Sequence, residues 1–251
     1  MKKKREPVPF RLDPFQEKAI AALLEGYSVL VAAPTGTGKT LIAEKLLEKV
    51  LARGQGAVYT SPLKALSNQK YRDFGRLFGP ERVGLITGDV SFNEGAPLLV
   101  MTTEIFRNWC FASPGMLVNT SHVIFDEMHY LDDLERGTTW EESIIFAPAH
   151  IKILGLSATV PNIREIAVWM EEIRGEPVKV IEEKRRAVPL KICWISPSAG
   201  ILDEKEARAE VEERRERRRG RRLYTARGSA GPGWEEEARA AKGKGEAGQK
   251  D

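Results

Sequence analysis

The feature that most constrains this chain is the octapeptide at 33–40, which reads Ala-Pro-Thr-Gly-Thr-Gly-Lys-Thr. An apolar run at 28–33 leads into it, and apolar residues recur at helical spacing over 41–53 after it. The two glycines let the backbone turn its N–H groups inward, and the following helix adds the positive end of its dipole. This order of strand, glycine-rich loop and helix predicts a Walker A phosphate-binding loop, although Ala33 stands where the strict pattern has glycine.

The whole octapeptide is a candidate binding segment, and two of its residues carry distinct chemistry. Lys39 can reach the β- and γ-phosphates of a nucleotide, and Thr40 can offer its hydroxyl to Mg²⁺. The candidate phosphate-contacting residues are Ala33, Pro34, Thr35, Gly36, Thr37, Gly38, Lys39 and Thr40.

A second element ends another apolar run with two carboxylates, Asp126 and Glu127. An aspartate at the carboxyl end of a core strand can hold Mg²⁺ through its water shell, and the adjacent glutamate can orient and deprotonate an attacking water. Asp-Glu after a strand is common, but downstream of the loop it predicts an ATPase site with Lys39, Asp126 and Glu127 as catalytic residues. A P-loop kinase would also use the lysine and Mg²⁺, but it would not need the hydrolytic glutamate, and no acceptor-binding signature is found.

Short apolar runs alternate with helical patterns along residues 10–195. The predicted strands are 28–33, 56–61, 82–87, 97–102, 122–126 and 152–157, and the predicted helices are 41–53, 63–77 and 162–173. Continuous apolar strands that alternate with helices indicate a parallel sheet covered on both faces. The expected fold is therefore an α/β three-layer sandwich of the P-loop NTPase class.

The chain changes character after about residue 201, where large apolar side chains become rare. We expect this segment to be mostly disordered, with its Glu/Arg-rich run forming a solvated helix. The basic cluster at 214–222 could contact phosphates, but the interleaved acidic residues favour a solvated charge run. The predicted organisation is a basic arm at 1–9, an ATP-binding domain at 10–195 and a charged low-complexity tail at 196–251.

Composition excludes several classes of protein. The net charge is only +3, so a global basic field gives no argument for nucleic acid. Cys110 and Cys193 form neither a zinc pattern nor a disulfide framework, which predicts two buried, reduced thiols in a cytoplasmic protein. We expect no membrane span, because the longest apolar runs are strand-sized, and no signal peptide, because no apolar stretch follows the basic start.

Five further runs surround the loop and the Asp-Glu-Met-His box at 126–129. They are Phe-Arg-Leu-Asp-Pro-Phe-Gln at 10–16, Thr-Ser-Pro-Leu-Lys-Ala-Leu-Ser-Asn-Gln at 60–69, Arg-Gly-Thr-Thr-Trp-Glu at 136–141, Ser-Ala-Thr at 157–159 and Arg-Ala-Val-Pro-Leu at 186–190. In this order the motifs resemble the first RecA-like domain of superfamily-two DExH-box helicases, over roughly residues 8–195. The run at 136–141 is similar to the superkiller-like branch of RNA helicases and favours that branch over the DEAD-box one.

The resemblance implies functional roles for several of these residues. Phe10 would stack on adenine and Gln16 would hydrogen-bond its edge, since an amide supplies both a donor and an acceptor. His129, Ser157 and Thr159 would couple the ATP state to domain motion. The residues implied to contact single-stranded nucleic acid, RNA in preference to DNA, are Pro62, Leu63, Lys64, Gln69, Thr87, Gly88, Asp89, Thr102, Thr103 and Glu104.

The family resemblance also implies a second RecA-like domain with an arginine finger, and the tail after residue 200 shows no such pattern. Because an arginine finger contributes about three to five orders of magnitude to hydrolysis, we expect weak turnover from this chain alone. A partner chain supplying that domain is one possibility. The alternatives to a helicase motor are a nucleotide- and nucleic-acid-binding module without productive hydrolysis, a split-helicase subunit and a DNA translocase. Backbone contacts alone discriminate poorly between RNA and DNA.

Overall fold

The computed structural model of the protein describes residues 11–128, 137–186 and 188–228. The chain divides between Val188 and Pro189 into two compact units, each of which is described by itself. The division falls just before the end of the predicted ATP-binding domain at residue 195.

The first unit is built on an eight-stranded sheet. Its strands are β1 (Ser28–Ala32), β2 (Gly56–Ser61), β3 (Val83–Ile86), β4 (Ser91–Phe92), β5 (Leu98–Thr102), β6 (Thr120–Phe125), β7 (Lys152–Ser157) and β8 (Val178–Glu182). Their order across the sheet is β4-β3-β5-β2-β6-β7-β1-β8, and every neighbouring pair is parallel except β3 with β4. The mostly parallel sheet predicted from the apolar runs is confirmed.

Six helices cover the two faces of this sheet. They are α1 (Pro14–Leu24), α2 (Lys39–Ala52), α3 (Lys64–Phe78), α4 (Thr103–Ala112), α5 (Gly137–Phe146) and α6 (Ile163–Arg174). On β1, Val29 and Val31 pack into the core beneath the first three helices, whereas Leu30 belongs to the core beneath the last three. Because successive side chains of a strand point to opposite faces, a strand buried on both sides reads as a continuous apolar run.

Local chemistry explains where the helices beside the candidate site begin. Asp13 and Gln16 form a capping box at the start of α1, and Pro14 occupies the first turn, where its missing N–H costs nothing. Helix α2 begins directly after Gly38, whose φ of 80° lies in the left-handed region that glycine adopts without strain. Trp140 of α5 is 1% exposed and packs edge-on against Phe125 at 5.0 Å, so this tryptophan belongs to the core.

The second unit contains a two-stranded antiparallel hairpin, β9 (Trp194–Ser196) with β10 (Gly200–Leu202), and helix α7 (Glu204–Gly228). The Glu/Arg-rich run is helical, as its composition indicated, with exposed ion pairs spaced four residues apart such as Arg217 with Glu213. The sequence did not predict the hairpin. The Gly/Ala/Glu/Lys stretch at 229–251 lies outside the described residues.

One prediction about the cysteines was half wrong. Cys110 is buried in α4, but Cys193 is exposed, because the hairpin beside it is too small to cover an apolar side chain. Within the part of the chain that the structure describes, no helix is both long and apolar enough to cross a membrane.

Candidate functional site

The predicted motifs gather along one edge of the sheet. Parallel strands place their carboxyl ends together, and β1, β2, β3, β5, β6 and β7 each lead directly into one of the motifs. Strands β6, β7 and β1 are neighbours and lead into the box, the Ser-Ala-Thr run and the loop. Strands β3, β5 and β2 are also neighbours and lead into the predicted nucleic-acid residues at 87–89, 102–104 and 62–69. The sheet order therefore divides the edge into two adjacent halves.

The loop at 33–40 encloses the ammonium group of Lys39. Lys39 Nζ donates to the carbonyls of Ala33 at 2.8 Å and Pro34 at 3.3 Å, and the Thr37 hydroxyl donates to the Pro34 carbonyl at 2.8 Å. Burial lowers the pKa of Lys39, whereas the charges of Glu127 and Asp126 oppose that shift. A positive charge thus lies inside a turn of backbone amides at a helix start, an arrangement suited to an anionic phosphate.

Gln16 lies against the loop. It is 3% exposed, its Nε2 donates to the carbonyls of Thr37 at 3.2 Å and Gly38 at 3.1 Å, and its Oε1 accepts from the Asp13 N–H at 2.9 Å. A side chain at Gly38 would collide with this amide, since a Cβ there would lie 2.8 Å from Nε2. The predicted contact of Gln16 with an adenine edge would require these bonds to be exchanged.

Asp126 is held through both carboxylate oxygens. Its Oδ2 accepts from the Tyr59 hydroxyl, and its Oδ1 accepts from the Glu127 N–H at 3.0 Å. Burial and the charge of Asp126 raise the pKa of Tyr59, so the phenol keeps its proton and acts as a donor. Glu127 adopts a φ of 57°, uncommon for a residue other than glycine, which turns the chain sharply after the strand. Sequence reasoning missed Tyr59.

Thr40, the other predicted Mg²⁺-side residue, also has a partner that the sequence did not indicate. Lys70 Nζ of α3 donates to Thr40 Oγ1 at 3.3 Å and lies 5.7 Å from the centre of the Tyr59 ring. The oxygens of Thr40 and Asp126 are the hard donors that Mg²⁺ prefers. Each Asp126 oxygen already accepts one hydrogen bond, which fixes the carboxylate in place. That Asp126 holds Mg²⁺ through an intervening water stays a prediction from the sequence.

The predicted nucleic-acid residues differ in exposure. The side chains of Lys64 and Asp89 are 54% and 71% exposed and form an ion pair across the ends of β2 and β3, and Gln69 is also exposed. The threonines at 87, 102 and 103 are buried. Among the remaining members, Leu63 and Gly88 are exposed, Glu104 is half-buried and Pro62 is buried. A nucleic-acid strand on this surface can contact the exposed residues directly, whereas the buried threonines shape the loops beneath those residues.

Ser157 connects β7 to the loop through the backbone. Its carbonyl accepts from the Ala33 N–H at 3.2 Å. Ser157 is 3% exposed, and its hydroxyl has no hydrogen-bond partner among the described residues. Thr159 is exposed. Phe10 and His129 lie outside the described residues, as do Arg136 and Ala187 of the two runs that supported the family resemblance.

A cavity of about 410 Å³ opens beside the loop and contains residues that the motifs did not indicate. Its lining residues are Asp13, Pro14, Phe15, Thr37, Glu183, Arg185 and Arg186. The two arginines follow β8 and bring positive charge to a cavity that adjoins the loop. Arg186 opens the run at 186–190, but its place beside the loop follows from the sheet order, in which β8 lies next to β1.

The fold is that of a RecA-like helicase domain. It matches the DNA-bound crystal structure of the DUF1998 helicase MrfA with a TM-score of 0.59 at 18% identity, over 68% of this chain and 27% of that one. The sequence profile of the DEAD/DEAH box helicase family matches residues 13–166. The chain belongs to the DEAD/DEAH box helicase family.

Curated relatives confirm the predicted branch. The chain is 48% identical over 204 residues to the chloroplastic DExH-box ATP-dependent RNA helicase DExH15 of Arabidopsis thaliana, covering 78% of this chain and 17% of that protein. It is 47% identical over 184 residues to the antiviral helicase SKI2 of Saccharomyces cerevisiae, covering 73% of this chain and 14% of that protein. The chain therefore spans less than a fifth of the length of these two relatives.

Proposed function

We propose that this chain is the ATP-binding motor domain of an RNA helicase, which binds ATP with Mg²⁺ and single-stranded nucleic acid and hydrolyses the ATP. The observation that carries the proposal is the convergence at one sheet edge of the loop, with Lys39 inside it, and the Asp126–Glu127 pair. RNA is preferred over DNA because relatives such as DExH15 are named RNA helicases.

Each residue at this edge has a task that its position supports. Lys39 leaves the carbonyls of Ala33 and Pro34 and pairs with the β- and γ-phosphates. Asp126, fixed by two donors, would hold Mg²⁺ through a water, and Glu127 is placed to accept a proton from the water that attacks the γ-phosphate. Mg²⁺, when bound with the nucleotide, supplies charge neutralisation on the phosphates.

The nucleic-acid strand is proposed to lie along the half of the edge formed by β3, β5 and β2. Lys64 is exposed and positively charged there, and it begins α3, whose N-terminus suits a phosphate. Gln69 and Gly88 lie exposed in the same region. Ser157 and Thr159 follow β7 on the nucleotide half, and we assign them, with His129, the coupling role that the family resemblance implies.

Two properties of Gln16 can be separated by measurement. Its contacts support a role in holding the loop, and the family resemblance supports a role in reading adenine together with Phe10. Binding of ATP and GTP to Gln16→Ala distinguishes these roles. An equal loss for both nucleotides indicates the loop role, and a loss confined to ATP indicates base reading.

We further propose that full turnover needs a second motor domain, supplied elsewhere in the same protein or by another chain. The extent of this chain relative to SKI2 is in keeping with that requirement. A cytoplasmic location and the division at residue 195 stay predictions from the sequence.

The proposal is tested with Lys39→Ala, Glu127→Gln and the control Lys45→Ala, which removes an exposed α2 lysine paired with Glu48. Binding of a fluorescent ATP analogue and ATP hydrolysis are measured with and without RNA and DNA oligonucleotides. We expect Lys39→Ala to lose analogue binding, Glu127→Gln to bind but not hydrolyse, and the control to match the wild type. Equal hydrolysis by wild type and Glu127→Gln would remove Glu127 from catalysis, and absence of analogue binding by the wild type would refute the proposal.

A further inference from the structure

Two side chains on the Mg²⁺ side of the candidate site belong to neither the loop nor the box. Tyr59 lies on β2 and Lys70 lies on α3, so they flank the run at 60–69 that carries the predicted nucleic-acid contacts. Each makes a direct contact with a residue proposed to serve Mg²⁺. The segment that faces nucleic acid is thus connected at both its ends to the nucleotide site.

Tyr59 is placed to aim the carboxylate of Asp126. Its side chain is fully buried, and its ring meets Phe74 edge-on at 5.0 Å, which fixes the direction of the hydroxyl. The hydroxyl donates to one oxygen of Asp126, while the Glu127 N–H holds the other. Loss of the hydroxyl alone would free one side of the carboxylate without opening a cavity in the core.

Lys70 is placed where its charge competes with a metal cation. Its ammonium donates to Thr40 Oγ1, the oxygen proposed to serve Mg²⁺, and a second cation beside that oxygen is repelled. Glu44 lies four residues after Thr40 on α2 and offers another partner. Burial raises the pKa of Glu44 and the charge of Lys70 lowers it, as expected for neighbouring groups.

We propose that Tyr59 and Lys70 are positioning residues through which the Mg²⁺ side of the site and the nucleic-acid segment sense each other. Tyr59 holds Asp126 in the orientation that serves Mg²⁺, and Lys70 holds Thr40 until the cation arrives with the nucleotide. Lys70 then gives up Thr40 and turns toward Glu44. Because Lys70 follows Gln69 on α3, this exchange is transmitted to the helix that begins at Lys64. The inference rests on the proposed function.

The two roles predict opposite effects on the Mg²⁺ requirement. Tyr59→Phe and Lys70→Met are compared with the controls Tyr71→Phe, a half-buried tyrosine that packs on Phe92, and Lys45→Met. The readout is the Mg²⁺ concentration that gives half-maximal binding of a fluorescent ATP analogue. Loss of one hydrogen bond, or removal of one competing cation, should change this Mg²⁺ concentration by about three- to tenfold.

We expect the half-saturating Mg²⁺ concentration to rise in Tyr59→Phe, to fall in Lys70→Met and to stay within about twofold of the wild type in both controls. Binding of the analogue in EDTA should be the same in all variants, because Tyr59 contacts Asp126 and Lys70 contacts the Thr40 hydroxyl, two groups proposed to serve Mg²⁺ rather than the phosphates. A merely structural role would weaken binding in both variants alike. Shifts in the same direction, or no shift in Lys70→Met, would overturn the inference.

A second measurement reports on α3 without using the nucleotide affinity. Hydrogen exchange of the amides at 64–74 is compared for the analogue with Mg²⁺ and with EDTA. Wild type should show a Mg²⁺-dependent difference in α3 that Lys70→Met lacks, and an equal difference in both proteins would refute the link. If Tyr59→Phe fails to fold, the comparison of wild type with Lys70→Met still tests the inference, because Lys70 is half-exposed. Wild type that binds no analogue would instead refute the proposed function.

Discussion

Arg174 provides the sharpest test of what holds helix α6 against the connection between α5 and β7. It is the last residue of α6, its side chain is 4% exposed, and it reaches the connection between α5 and β7. Its guanidinium donates to four carbonyls, those of Ile144 at 3.3 Å, Ala147 at 3.1 Å, Pro148 at 3.4 Å and Ile151 at 2.7 Å. Its Nε lies 3.6 Å from Glu176, within ion-pair but not hydrogen-bond distance.

The magnitude follows from what the substitution Arg174→Met would leave behind. Methionine keeps the apolar stem but removes every donor, so four carbonyls and the partly buried carboxylate of Glu176 lose a partner. Lys152 and Ser28 still contact Glu176, which limits the cost for the carboxylate. Removal of one partner of a buried ion pair typically costs about 3–5 kcal/mol, and each buried carbonyl left without a donor adds to the cost. We expect the free energy of unfolding to fall by an amount in that range.

Arg164→Met is the matched control, because it removes an arginine from the same helix. Its side chain is 81% exposed and pairs with Glu182 at 2.8 Å, so its loss should cost less than about 1 kcal/mol. Urea unfolding followed by circular dichroism gives both values, provided that the dependence on denaturant is unchanged. A difference between the two variants below about 1 kcal/mol would show that the buried guanidinium contributes no more than a surface one.

Two further predictions concern the loop and a buried histidine. Gly38→Ala should bind the ATP analogue about tenfold or more weakly, because a φ of 80° strains any side chain and the new Cβ would displace Gln16. The control Gly54→Ala has a similar φ of 70° but open space around it, so it should lose stability without losing analogue binding. Burial, together with the charges of Arg53 and Lys152, lowers the pKa of His122 to about 4 despite a backbone hydrogen bond that raises it. The folded state thus disfavours the charged ring, so stability is complete above pH ~6.5 and falls by about 3 kcal/mol as the pH drops toward ~4. The urea midpoint should depend less on pH in His122→Gln than in the wild type. An equal pH dependence in the two proteins would contradict the assignment to His122.

The elements that the sequence predicted well are those buried on both faces. The predicted strands at 56–61 and 152–157 coincide with β2 and β7, since a continuous apolar run bounded by turns has few other uses. The edge strand β8 was not predicted, because charged residues interrupt Val-Lys-Val-Ile-Glu and leave no continuous apolar run. Helix α5 was not predicted as a helix either, since it opens with glycine and two threonines, which are poor helix formers.

The residues of the candidate site also differ in whether the sequence could predict them. The loop and the Asp126–Glu127 pair were predicted because each is a local pattern in which the chemistry lies within a few residues. The contacts of Tyr59, Lys70 and Gln16 were not, because they join segments that are 67, 30 and 21 residues apart in the chain. No local spacing encodes such contacts. They appear only when the order of the strands across the sheet is known.

That order has a consequence for how the two halves of the edge communicate. Strand β2, which leads to the nucleic-acid segment, pairs directly with β6, which leads to Asp126, and the Asp126 N–H donates to the Thr60 carbonyl at 3.0 Å. The boundary between the two halves is therefore a single pair of strands rather than a long chain of contacts. A shift of α3 against β2 reaches Asp126 through Tyr59 and Thr40 through Lys70, so both oxygens proposed to serve Mg²⁺ respond to one helix. If Tyr59→Phe and Lys70→Met together leave the coupling between RNA and nucleotide binding at its wild-type value, the coupling must run elsewhere, and Ser157, whose carbonyl contacts the loop, is then the next residue to test.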